Sequence, residues 1–334
     1  MLTIPPFCPD ADCLYHFEDQ IPKSRKSSWY QRDGTYTTKV HGTVQRFVCT
    51  NCGKRFSSQT FSLDYGVKRH VDYRLIFTHI NSSSGIRTIA RALHVSEQVV
   101  INRISRLARQ AIGMHATLRT TFPLQEPVAA DGFESFTCSQ YHPNNIHLAV
   151  GKESQYLYGI DYAHLRRKGR MTGQQKKRRL ILERRWKAPR GDISRSFRRL
   201  VRQIGRYFRR SPGKKVEVYT DEKHEYLQCT QNESWIVHRR ISSTVPRTLE
   251  NELFAVNYYD REIRKDQSNH TRETVEYSRD TNNAMERMWV YCLYHNYLKP
   301  YRIDRKERRT HAECAGVPVA LMNREWKTLF TRSE

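Results

Sequence analysis

Four of the eight cysteines in this chain fall in two close pairs within the first 52 residues, Cys8-Pro-Asp-Ala-Asp-Cys13 and Cys49-Thr-Asn-Cys52. Two thiolates a few residues apart reach a common ion from one knuckle turn, so two such pairs suit a tetrahedral zinc ion. A site with four protein ligands leaves no position for water and is structural rather than catalytic. His16 and His41 lie close enough in sequence for either imidazole to replace one thiolate. In a reducing compartment this spacing serves a metal, not disulfides.

The second chemical signal is charge. The 334 residues carry 58 Lys and Arg against 34 Asp and Glu, a formal net charge of +24, which points to a polyanionic partner and first to nucleic acid. The excess is local: residues 166–215 hold 21 basic residues and two acids, whereas residues 121–165 hold five acids and one lysine. Such a basic stretch binds phosphates strongly, with salt sensitivity and little sequence preference, because each neutralised phosphate releases counterions. At 38% hydrophobic content the chain can build cores. Its longest apolar run, Met288 to Tyr294, falls far short of the ~18 residues of a membrane-spanning helix. No secretory pattern is visible at Met1 to Phe7, so the expected location is cytoplasmic, nucleoid-associated in a prokaryote.

Three modules must position these groups, and the expected class is multidomain α+β. Residues 1–60 read as a zinc ribbon, with strands alternating in places from Thr35 to Val48. Residues 61–120 read as a three-helix helix-turn-helix. Ile86, Ile89, Ala90 and Leu93 form the stripe of one short helix, Ser96 caps the next, and a helix from about Gly66 to His79 precedes both. The capped helix buries Val100, Ile104, Leu107 and Ala111. It leaves Gln98, Asn102, Arg103, Arg106 and Arg109 outside for base edges and phosphates of double-stranded DNA.

Residues 121–334 form the third module. Val128 to Phe133 reads as a strand centred on Asp131, followed by strands at 147–150 and 156–162. After a basic insertion at about 166–192, expected as a flexible loop, comes an amphipathic helix from Ser194 to Arg210. A strand at 215–220 ends at Asp221, a further strand covers 235–241, and Ser242 to Thr281 reads as a second insertion. A last helix, capped at Asn282-Asn283, carries Glu286 in its first turn and Arg287 beside it. Glu134, Asp161, Glu222 and Asp280 are rival acids, Asp280 alternatively a helix cap; His224 and His238 suit satisfied or exposed histidines better than DNA contacts.

This order resembles the RNase H-like core of insertion-sequence transposases of the DDE class. The likeness rests on Ala129-Ala130-Asp131-Gly132-Phe133, Val218-Tyr219-Thr220-Asp221-Glu222-Lys223-His224, Asn282-Asn283-Ala284-Met285-Glu286-Arg287-Met288 and the tail segments His295 to Arg302 and Thr310 to Val317. A zinc ribbon and helix-turn-helix ahead of such a core is also a transposase layout. The resemblance implies an RNase H-like domain with a mixed five-stranded sheet, with Asp131, Asp221 and Glu286 holding two Mg2+ or Mn2+ ions, hard cations that take oxygen ligands. Two such ions ~4 Å apart activate a nucleophile and stabilise the leaving oxygen during strand cleavage and transfer. Arg287 would hold a scissile-strand phosphate or pair with a neighbouring carboxylate. The implied partners are transposon ends and target DNA, bound by a homodimer or larger assembly. The alternatives are an inactive relative acting as a DNA-binding regulator and a nuclease that cuts without joining.

Overall fold

The computed structural model describes residues 5, 7–16, 28–208, 214–271, 274–302 and 308–330. Arg209 and Arg210, the expected end of the amphipathic helix, lie outside them. By their internal contacts the residues divide into two units, 1–73 with 326–334, and 74–325.

The first unit is a small three-stranded antiparallel sheet of β1 (Tyr30–Thr38), β2 (Gly42–Cys49) and β3 (Arg55–Ser57). Alternation along β2 turns Phe47 and Cys49 inward, where they meet Trp29, Phe56, Phe61, Cys8 and Cys13 in one cluster. Trp29 stacks on Phe56 with ring centres 5.6 Å apart. Three of the seven buried members are cysteines, so thiol chemistry is built into the core itself.

The second unit begins within α1 (Tyr73–Ile80) and continues with α2 (Ile86–Ala92) and α3 (Glu97–Leu118). The helix expected from Gly66 thus begins at Tyr73. Ser96 caps α3 as its type dictates, its hydroxyl accepting from the Val99 amide. The turn between α2 and α3 places His94 at φ +51°. At 22 residues α3 is much longer than a groove-reading helix needs. Its far end buries His115 among tyrosines: Nε2 lies 3.0 Å from the Tyr207 hydroxyl and Nδ1 3.2 Å from that of Tyr297. From residue 74 onward, α1, α2 and α3 fall in the same contact unit as the sheet that follows.

The sheet follows: β4 (Val128–Phe136), β5 (Pro143–Gly151) and β6 (Leu157–His164), then α4 (Gly173–Arg185), α5 (Asp192–Phe208), β7 (Val216–Thr220), α6 (His224–Thr230), β8 (Ile236–Arg240) and α7 (Phe254–Asp266). The chain closes with α8 (Thr281–Tyr297), α9 (His311–Cys314) and α10 (Val319–Thr328). Strand order is β6-β5-β4-β7-β8, antiparallel across β6, β5 and β4 and parallel across β4, β7 and β8. Because side chains alternate along a strand, β4 and β5 feed both faces. Ala129, Phe133, Ile146, Leu148 and Val150 pack under α7 and α8, against Val256, Tyr259, Ile263, Met288 and Tyr291. On the other face His147 meets Ser196 and Phe197 of α5.

Four local expectations change. The basic insertion is not a loop: α4 forms inside it, started by a capping box in which Thr172 and Gln175 satisfy each other's backbone amides. Gln, Lys, Arg and Leu are strong helix formers, which carries it from there. The segment from Ser242 to Thr281 is not an excursion either, since α7 forms within it and packs on β4 and β5. The cap of α8 is Asp280, whose carboxylate accepts from the Asn283 amide, not Asn282-Asn283. The helix starts at Thr281, which moves Glu286 into the second turn.

Candidate functional site

Four sulfurs gather in the first unit. Cys8 Sγ lies 3.6 Å from Cys52 Sγ, Cys13 Sγ lies 3.7 Å from Cys49 Sγ, and all four fall within 4.8 Å of one another. Zinc–sulfur bonds of ~2.3 Å in a tetrahedron put sulfurs about 3.8 Å apart, so the cluster already has the dimensions of a four-cysteine zinc site. Neither histidine takes part. His16 Nδ1 bonds the Cys8 carbonyl at 2.8 Å, and His41 sits in the turn joining β1 to β2. Burial works to raise the Cys13 thiol, but the Asn51 amide, whose nitrogen donates to Sγ at 3.3 Å, and the Tyr15 backbone hold it down to about 7. Burial pushes the Cys8 thiol up. A metal ion removes that conflict by taking all four as thiolates.

The second group is acidic. Ala129 of β4 pairs with Tyr219 of β7, so two residues on, Asp131 and Asp221 stand at the same level of adjacent parallel strands. There β7 ends and β4 continues alone beside β5. Lys223 reaches both: its Nζ lies 3.3 Å from Asp221 Oδ2 and 3.8 Å from Asp131 Oδ1, and 5.3 Å from the centre of the Tyr226 ring. The Gly132 amide donates to Asp131 Oδ1 at 2.7 Å. A Cβ at this position would overlap the buried side-chain amide of Asn145, which would have to shift. Burial raises the Asp131 carboxyl above its ordinary value, opposed by the Lys223 ammonium and aided by Asp221.

Glu286 makes a bond to α3. Its Oε1 accepts from Ser105 on α3 at 2.6 Å, tying α3 to α8. Arg287, expected on DNA, is 4% exposed, and its Nη2 donates to Ser268 at 3.0 Å. Burial lowers its pKa to about 10. α3 packs along α8, whereas Ser268 lies in the turn after α7.

α7 also carries an acid, Asp260, that the sequence did not single out. In α7, Val256, Tyr259 and Ile263 face the sheet; Asp260, four after Val256 and three before Ile263, interrupts that apolar stripe. Its Oδ1 is sealed from solvent without a hydrogen-bond partner among the described residues. Burial, then the charge of Asp131, pushes its carboxyl up to about 8. The exposed Arg247, anchored to Asn257 Oδ1 at 3.1 Å, lowers both Asp131 and Asp260. An acid inside an apolar helical stripe was the available signal.

Among the proposed DNA contacts, Gln98, Asn102 and Arg109 are exposed on α3, and Gln98 Nε2 donates to Asn102 Oδ1 at 2.9 Å. Arg106 is half-buried and Arg103 is 7% exposed, so the latter is packed in the helix interface rather than presented outward. α4 buries none of its residues and is studded with cations along its length. Its C-terminal Trp186 packs on His164 and His142, ring centres 5.1 and 5.9 Å away. α5 instead buries Phe197, Leu200, Val201 and Ile204 and exposes Arg198, Arg202 and Arg206. His238 is satisfied by Thr220 and Thr230, both at 2.8 Å, and Asp161 by Arg199. Among the described residues no helix is long and apolar enough to cross a membrane.

The sequence matches no protein-family model and no curated protein.

Proposed function

We propose that this chain is a DNA transposase of the DDE class, acting on terminal inverted repeats and cutting and joining DNA strands with divalent metal ions. The observation that carries the reading is the pair Asp131 and Asp221, level on adjacent parallel strands and sharing one ammonium. Two carboxylates that crowd around one lysine form a site that favours positive charge. The strand order, with an acid on the central strand and a second at the end of its parallel neighbour, supports the RNase H-like reading.

Asp131 and Asp221 suit Mg2+ or Mn2+, since they offer only hard oxygen donors. Bound there, such ions would supply nucleophile activation and leaving-group stabilisation. Lys223 holds the two carboxylates together against their mutual repulsion. The cations of α4 and the outer face of α5 bind the sugar–phosphate backbone without regard to sequence. Gln98, Asn102 and Arg109 reach base edges and phosphates, while the four-cysteine site takes zinc and stabilises the N-terminal unit.

The test is a supercoiled donor plasmid carrying the element ends, incubated with Mg2+ and wild type, Asp131→Ala or Asp221→Ala. End-specific nicks and joined products that vanish in both variants are expected. Binding without cleavage by the wild type refutes the enzyme in favour of a DNA-binding regulator. Cleavage without joined products favours a nuclease.

A further inference from the structure

We infer that the cleft bounded by α2, α3 and the start of α8 is a binding site for a small organic anion, one with a ring-sized apolar body and a single phosphate or carboxylate group. The inference does not depend on the transposase reading, and neither the four cysteines nor Asp131 and Asp221 line the cleft.

The cleft has a volume of about 430 Å3, within the ~300–1,000 Å3 of pockets that take small ligands. Ile86 of α2 and Ile101 and Ile104 of α3 supply apolar surface from the helices, and Val275 and Tyr277 supply it from the segment ahead of α8. That segment is anchored. The Ser278 carbonyl accepts from the Cys138 amide at 2.8 Å, the Arg279 carbonyl from the Cys138 thiol at 2.7 Å, and Ser278 Oγ from Asn269 Nδ2 at 3.1 Å. It also approaches the start of α2 closely, since a Cβ on Gly85 would overlap the Glu276 carboxylate.

The charge of the lining favours an anion. Arg87 and Glu97 pair at 3.1 Å and offset one another, which leaves Arg279 and Arg287 against Glu276. Arg287 is the decisive group. It is 4% exposed, donates Nη2 to Ser268 at 3.0 Å, and its enclosed Nε has no partner among the described residues. A buried N–H without an acceptor is costly, and an oxygen of a bound anion removes that cost. Burial lowers its pKa to about 10, with the Glu276 charge opposing, so the guanidinium stays cationic at neutral pH. Its fork of donors matches carboxylate and phosphate oxygens, while the isoleucines and the Tyr277 ring suit an apolar ring.

The experiment is calorimetric titration of the full-length protein without DNA, with naphthyl phosphate and naphthoate as probes and inorganic phosphate and naphthol as their halves. One molecule of either probe per chain is expected, the tighter of the two naming the anionic group, with each half ~10-fold weaker or more. Arg287→Gln and Ile101→Glu should each weaken the probes ~10-fold or more, by removing the buried donor and by placing a carboxylate in the cleft. Tyr277→Ala, at an exposed position, should weaken them ~3-fold or more and keeps the test decisive where a buried variant fails to fold. Joint replacement of Lys176, Lys177 and Arg178 on α4 by alanine should leave binding within about twofold. The inference is overturned if neither probe binds, if inorganic phosphate binds as tightly as naphthyl phosphate, or if the α4 replacement weakens the probes while the cleft variants do not.

Discussion

Loss of zinc from the N-terminal unit should unfold that unit and leave the sheet unit standing. The two sulfur pairs at 3.6 and 3.7 Å match the edge of about 3.8 Å that a zinc–thiolate tetrahedron requires, so the folded chain is already shaped for the ion. The remaining apolar cluster is small, essentially Trp29, Phe47, Phe56 and Phe61 around the thiols. Cores of this size hold a fold only marginally, while structural zinc contributes roughly 10–16 kcal/mol near neutral pH. Removing the ion therefore removes more than the unit's whole margin. Trp29 reports the event, since it is buried against Phe56. The assay is titration with a chelator, with bound zinc measured by atomic absorption and fluorescence compared between wild type and Trp29→Phe, so the difference isolates one indole. One zinc per chain and a red shift of that difference signal in step with zinc loss are expected, with Cys49→Ser showing the shifted signal from the outset. A protein stripped of zinc whose Trp29 stays buried would refute the reasoning, as would a purified chain that holds no zinc.

Four further outcomes follow from particular side chains. His115 is buried, and burial together with the nearby Arg119 charge lowers its pKa from 6.5 to about 4. Its contribution to stability is complete above pH 6.5 and is lost as pH falls towards 4, about 3 kcal/mol in all, so denaturant melts of wild type and His115→Asn should converge across that window. Gly132→Ala drives a methyl into Asn145 beside Asp131 and should cost ~1–3 kcal/mol in the same melts. Arg287→Ala should lower stability by ~1–3 kcal/mol and leave the salt slope of DNA binding unchanged, because the guanidinium is packed against Ser268. Replacing Lys176, Lys177 and Arg178 together by alanine should do the reverse. Melting is preserved, while the slope of log affinity against log salt falls by about one for each phosphate that is no longer neutralised.

Much of the chemistry was legible in one dimension where it depends on neighbours in sequence. Cysteine spacing within each pair describes a knuckle, and alternation through Val128 to Phe133 describes a strand with an acid at its centre. Ser96 announces the start of α3 by a bond to an amide three residues on. α4 was missed although its capping box is local, because a dense run of cations reads first as a solvated loop. α7 was missed because Asp260 breaks its apolar stripe.

What the sequence by itself determined is therefore the set of short-range devices: the paired thiols, the strand bearing Asp131, the strand that ends at Asp221, and a basic stretch opposed to an acidic one. Only the tertiary structure decided which groups meet. Whether Arg103 and Arg287 face water or a helix, and whether Glu286 meets Ser105, depends on how α3, α7 and α8 are rotated against one sheet. Those rotations are set by apolar burial across more than a hundred residues of chain, summed over many side chains, and no single residue type carries them.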